Sequence, residues 1–159
     1  MFHGEVVSIH VAASAGAPME SRQSIEAIVG RGLEGDRYLH GSGHWSSKPG
    51  VGRQVTLIEI ESIEALEREK NIVIAPGASR RNLVTRGVPL NHLVGREFQA
   101  GAVRLFGRRL CEPCDYLEGL TTKGILTGLI HRAGLRADIV VGGSIHVGDS
   151  VEECGCDKT

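Results

Sequence analysis

Residues 138–152, Asp138-Ile139-Val140-Val141-Gly142-Gly143-Ser144-Ile145-His146-Val147-Gly148-Asp149-Ser150-Val151-Glu152, carry three short apolar segments parted by glycine. Segments 138–141, 144–147 and 150–152 have the length and bounding residues of strands. The turn Val147-Gly148-Asp149-Ser150 suits a barrel or compact sheet, because Gly supplies positive φ and Asp bonds nearby backbone. The same pattern recurs upstream. Segments 97–100 and 102–106 flank Gly101, 82–85 forms another, 54–58 follows a Gly-rich loop, 25–29 is apolar, and 5–11 alternates around Val7, Ile9 and Val11. With 22 glycines and only 4% aromatic residues, the core must come from Val, Ile and Leu with many tight turns between short elements. The expected class is mainly β, a β-rich α+β domain.

Two segments read as helix. In 59–70 the apolar positions Ile60, Ile63 and Leu66 step by three, with Glu64, Glu67, Arg68, Glu69 and Lys70 on the wet side, as in a helix covering a sheet. From Thr121 or Thr122 to about Ala133, the stripe Ile125, Leu126, Leu129 and Ile130 ends before Gly134. A chain of 159 residues and 17.0 kDa fits a single domain, placed at 1–152, with a cysteine-containing tail at 153–159. No run approaches the roughly 20 apolar residues of a membrane span, and Glu5 and His10 interrupt the stretch that would serve as a signal peptide. A cytoplasmic protein with no membrane partner is expected. Net charge is −1, so nucleic acid is not an expected partner either. Within the basic set 14 Arg outnumber 4 Lys, and guanidinium forks match phosphate or carboxylate.

The longest irregular stretch, 33–52, holds Asp36, Arg37, His40, His44 and Trp45, and loops of that length are often functional. The cysteines form two close pairs, Cys111-Glu112-Pro113-Cys114 and Cys154-Gly155-Cys156. Three chemistries compete for the first pair. Structural zinc asks for a second matching knuckle, which the one-residue-spaced C-terminal pair supplies imperfectly. A dithiol redox centre asks for a helix after the motif, yet Asp115 and Glu118 are acidic and Gly119 curtails a helix. A thiolate that ligates a soft metal or carries sulfur gains from Arg104, Arg108 and Arg109 upstream and from Arg80-Arg81-Asn82. Strand alternation prevents all of these arginines from lining one pocket.

Taken in order, the motifs resemble the MOSC domain, the module at the C-terminus of eukaryotic molybdenum cofactor sulfurases and in small bacterial proteins. The resemblance runs through Gly32-Leu33-Glu34-Gly35-Asp36-Arg37-Tyr38 with His40, Arg53 to Ile58, and Ser79-Arg80-Arg81-Asn82-Leu83. It continues in Leu90 to Gly101, Cys111 to Cys114 with Leu117, His131 to Ala137, and Gly143 to Val151. It implies a partly closed β-barrel with two or more covering helices, and a pocket around one cysteine, matched here by Cys114. It also implies molybdenum cofactor (molybdopterin) as ligand, with Cys114 as metal ligand and catalytic thiol or persulfide carrier. His40 becomes a candidate for proton transfer, and Arg80, Arg81, Asn82, Asp36, Arg37 and Arg136 candidates for cofactor binding. Fused family members carry a pyridoxal-phosphate desulfurase domain that this sequence lacks, so a desulfurase or molybdoenzyme is the partner the resemblance implies. Either a cofactor-dependent reductase or a sulfur transferase would fit. A non-catalytic cofactor-delivery module and a zinc protein using both cysteine pairs are the alternatives.

Overall fold

A computed structural model describes residues 1–46 and 52–155. The strands are β1 (His3–Val11), β2 (Glu20–Arg22), β3 (Ser24–Ile28), β4 (Gly32–Leu33), β5 (Val55–Glu59), β6 (Leu83–Arg86), β7 (Glu97–Ala100), β8 (Val103–Leu110), β9 (Leu135–Val141), β10 (Gly143–His146) and β11 (Ser150–Glu153). The helices are α1 (Ile60–Lys70), α2 (Asp115–Leu120) and α3 (Ile125–Gly128). Hydrogen bonding runs in the order β11-β7-β8-β9-β5-β6-β1, and β11 pairs again with β1, so the ladder closes into a barrel. Closure removes the exposed strand edges that an open sheet of this size would present. β2 extends from β1, and β10, β3 and β4 form a small second sheet.

Short strands of alternating character build the barrel because each sends one face inward. β7 alternates exposed Glu97 and Gln99 with buried Phe98 and Ala100, and β3 does the same with Ile25 and Ala27. Phe98, Leu57, Leu83, Leu105 and Leu135 meet in the interior with Val6 and Ile9. The expected alternation in β1 around Val7 shifts, since a bulge between Val6 and Ser8 sends Val6 and Ile9 inward and turns Val7 onto the outer layer. β5 and β6 are parallel, which requires a crossover, and α1 supplies it. Ile60 and Ile63 of that helix cover Ile58 and Val84 from outside. Asn71, in the left-handed region at φ 55°, ends α1 by donating its N–H to Glu67 O.

The second expected helix is mostly absent. Gly124 at φ 100° starts α3, which stops at Gly128, and His131 at φ 62° turns the chain again. Leu129 and Ala133 are still buried, packing with Leu66, Leu117 and Ile125, so the apolar spacing reports turns folded onto one cluster, not a continuous helix. α2 is only six residues long and ends one residue beyond Gly119, the glycine expected to curtail a helix there. Its acidic Asp115 and Glu118 sit in the first turn, where the helix dipole favours negative charge, and Glu118 Oε1 accepts the N–H of Gly124 at 2.9 Å and of Leu126 at 3.1 Å. Among the described residues no helix is long and apolar enough to cross a membrane.

Candidate functional site

Segments entering from several parts of the chain meet around a narrow hollow that opens to solvent. The loop after β4 brings Arg37, Tyr38 and Trp45, the segment before β6 brings Arg80 and Arg81, and the β8–α2 connection brings Cys111, Glu112 and Cys114. Tyr116 and Leu117 of α2 and the cross-strand pair Thr56 and Arg136 of β5 and β9 complete the wall.

Cys114 is the residue before α2, half-buried against the Leu66–Leu117–Ile125 cluster, and it lines the hollow. Cys111 is 1% exposed, and its backbone is held twice: its N–H donates to Gly134 O at 2.8 Å, and its carbonyl accepts from Arg81 Nη2 at 3.1 Å. Arg81 Nε also donates to Ala133 O at 2.9 Å. One guanidinium therefore ties the cysteine loop to the segment entering β9. Glu112 accepts the N–H of His131 and faces its ring Nδ1 at 3.4 Å, fixing the same loop from outside.

The remaining cations on the wall are less fully matched. Arg37 is buried, bonds Asp36 Oδ1 at 3.1 Å and Arg80 O at 3.3 Å, and lies over the Tyr38 ring at 4.9 Å. Arg80 occupies the left-handed region at φ 61° and donates Nη1 to Ala17 O at 2.8 Å, while its buried Nη2 has no acceptor among the described residues. Burial, and then the neighbouring Arg37 charge, lower the Arg80 pKa. Two adjacent cations, Arg37 and Arg80, on one wall give the hollow a positive character that favours an anion. An aromatic group closes the other side: His44 stacks on Tyr116 with centroids 3.7 Å apart, and Trp45 meets His44 edge-on at 4.5 Å.

Of the residues singled out from the sequence, Cys114, Arg37, Arg80, Arg81 and Arg136 share this hollow. Three others lie elsewhere. Asp36 is fully buried and accepts the N–H groups of Ala12 at 3.2 Å and Tyr38 at 3.4 Å, so it shapes the loop from behind. Asn82 is 2% exposed and bonds Thr56 and His10 inside the barrel. His40 is exposed and is not on the wall. Arg104 and Arg108 do not flank the thiol: Arg104 pairs with Glu97 at 3.7 Å, and Arg108 with Asp138 at 2.5 Å over the Phe106 ring. Arg132 pairs with Glu69 at 2.6 Å, and His146 is exposed and faces Asp149 at 3.4 Å. Thr56, Tyr38, Tyr116 and Leu117 join the wall without having been expected there. The stretches that hold them were noticed, but nothing in a lone Thr or Leu announces a wall position.

The two cysteine pairs do not converge among the described residues. Cys154 lies by Arg104 and Glu97, where burial raises its thiol pKa most, and Cys156 lies outside the described residues. No group of three His, Cys, Asp or Glu side chains among the described residues is placed to hold a metal ion. A ligand that brings its own metal, leaving the protein one soft donor and several hydrogen-bond donors, fits this set better than a bare ion does.

Comparison with known proteins agrees with this architecture. The fold is similar to that of YuaD from Bacillus subtilis at a TM-score of 0.74 and 15% identity, covering 96% of this chain and 97% of that one. YiiM from Geobacillus stearothermophilus superposes at 0.71 with 14% identity, covering 96% and 75% of the two chains. YiiM from Escherichia coli gives 0.67 with 18% identity, covering 98% and 70%. No curated protein matches the sequence. The model of the MOSC domain family matches residues 36–152, about three quarters of the sequence and six of the seven barrel strands, and the chain belongs to that family.

Proposed function

We propose that this chain binds molybdenum cofactor, with the Cys114 thiolate as metal ligand. What supports the reading is a half-buried Cys114 lining a hollow whose wall also carries Arg37, Arg80, Arg81 and Arg136. A thiolate is a suitable donor for a soft metal centre, and guanidinium forks suit the phosphate of a pterin cofactor. When bound, the cofactor would supply oxo-transfer chemistry that no side chain here can supply. The protein's own part is to hold and orient. Arg81 fixes the cysteine loop through Cys111 O, Arg37 and Arg80 put positive charge on the wall, and Tyr116 and Trp45 give it aromatic surface.

The test is native mass spectrometry with elemental analysis on protein from a cofactor-competent host, for the wild type, Cys114→Ser and Cys111→Ser. The expected result is pterin with molybdenum in the wild type and Cys111→Ser, and both lost or strongly reduced together in Cys114→Ser, because the cofactor carries its own metal. Equal molybdenum in all three, or none in any, refutes the reading. An additional sulfur atom on wild-type Cys114, removed by dithiothreitol and found without metal, would assign the thiol to sulfur carriage instead.

A further inference from the structure

Beside the mouth of the hollow, three guanidiniums gather with no carboxylate among them. Arg109 of β8 and Arg136 of β9 are direct cross-strand partners. Arg53, on the segment entering β5, has its pKa lowered by burial first and then by the charges of Arg136 and Arg109. Like charges opposed across strands destabilise a sheet. Asp138, the carboxylate two positions along β9, is already engaged: its Oδ2 accepts from Arg108 at 2.5 Å, and its Oδ1 from Gly52 N at 3.2 Å. Arg53, Arg109 and Arg136 make no ion pair or side-chain hydrogen bond among the described residues, and Nε and Nη1 of Arg53 are sealed from solvent with no acceptor.

The backbone enforces this crowding. Gly52 lies at φ 74°, and a Cβ there would stand 2.9 Å from Arg136 Cβ and 3.1 Å from Arg108 Cβ, so the chain entering β5 presses onto the arginines as only glycine allows. A fold that holds three cations together with the nearby carboxylate already engaged gains from an anion that answers their charge.

The geometry points to a second anion site, formed by Arg53, Arg109 and Arg136, that takes a phosphate group. Three forks carry more charge and more N–H groups than one carboxylate satisfies, whereas a doubly charged tetrahedral oxyanion offers acceptors in several directions. The site is distinct from Arg37, Arg80 and Arg81, which come from other segments and already donate to backbone carbonyls. It does not depend on Cys114. Arg136 also lines the hollow, so the occupant is either free phosphate or the phosphate end of an organic ligand reaching inward.

Calorimetric titration with inorganic phosphate, phenyl phosphate and acetate at matched ionic strength tests the site. Wild type, Arg53→Gln, Arg109→Ala and the control Arg104→Ala are compared, Arg104 being a cation of the same strand that already pairs with Glu97. Phosphate binding to wild type and Arg104→Ala, weakened about tenfold or more in the other two variants, with little acetate binding, is the expected result. Phenyl phosphate binding more tightly than phosphate identifies an organic ester, and equal binding identifies the free anion. A melting curve without phosphate guards against misfolding: relief of repulsion should leave Arg109→Ala melting no lower than wild type. Absence of phosphate binding to wild type, unchanged affinity in Arg53→Gln and Arg109→Ala, or equal weakening by Arg104→Ala overturns the proposal.

Discussion

Replacing Asn82 by Ala tests whether this residue works as part of the frame. Its Oδ1 accepts from Thr56 N at 3.1 Å and from Thr56 Oγ1 at 3.2 Å, and its Nδ2 donates to His10 O at 3.1 Å, so one amide links β1 and β5 through the residue that precedes β6. Asn82→Ala leaves the Thr56 N–H and the His10 carbonyl without these partners, in positions where both residues are 6% exposed. Each stranded group costs about 1–3 kcal/mol, so the pair gives about 4 kcal/mol, the Thr56 hydroxyl being free to turn elsewhere. At about 3 °C per kcal/mol for a domain of this size, the melting midpoint falls by about 12 °C. Urea unfolding followed by far-ultraviolet circular dichroism measures the loss, with an unchanged slope confirming that the same transition is compared. A loss below about 1 kcal/mol with undiminished cooperativity would show that water or backbone replaces the amide, and the frame role would fail.

Three further outcomes follow from the same contacts. Gly134→Ala should prevent stable folding or cost at least about 3 kcal/mol, because φ is 117° and the added Cβ would collide with Leu57 O; recovery of folded protein by size-exclusion chromatography checks it. His10 is buried against Ser8 and Ser21, and that burial lowers its pKa below the usual 6.5. The unfolded chain therefore takes up a proton before the folded one as pH drops, so stability should fall as pH is lowered through and below 6.5, and urea midpoints of His10→Gln should lose that part of the slope. Iodoacetamide should modify Cys114 in the native protein well before Cys111, which is 1% exposed, as peptide mass spectrometry would show; equal rates would contradict the burial of Cys111.

Where one face of a strand meets the core and the other meets water, the sequence carries the pattern openly. Residues 97–100 are such a case, and β7 has those bounds. β2 was missed because Glu20, Ser21 and Arg22 are all exposed and owe their strand geometry to pairing with β1, a partner that local sequence does not name. The same reason explains Val7: a bulge is a property of two strands, and it reversed which valine of β1 faces inward. For 121–133, apolar spacing suggested one helix, but a short helix and successive turns bury Ile125 and Leu129 once glycines break the run, and leave Ile130 48% exposed. Periodicity reports what is buried more firmly than how the backbone gets there.

At the site, motif order brought the right segments together but not the roles within them. Arg37 and Asp36 are neighbours in sequence, yet one lines the hollow and the other braces the loop behind it. The same division separates Arg81 from Asn82. Charge and donor number are readable in a sequence; whether a backbone carbonyl waits within reach is not, because that depends on loops closing from distant parts of the chain. Arg81 shows why the distinction matters for the thiol. Its two bonds end on Cys111 O and Ala133 O, the carbonyls that border the cysteine loop and the entry to β9. The residue that looks most like a phosphate ligand is thus also the clamp that sets where Cys114 stands. Loss of ligand in an Arg81 variant would mix charge with position, whereas Arg80, whose side chain donates to one carbonyl, Ala17 O, among the described residues, isolates the electrostatic contribution more cleanly.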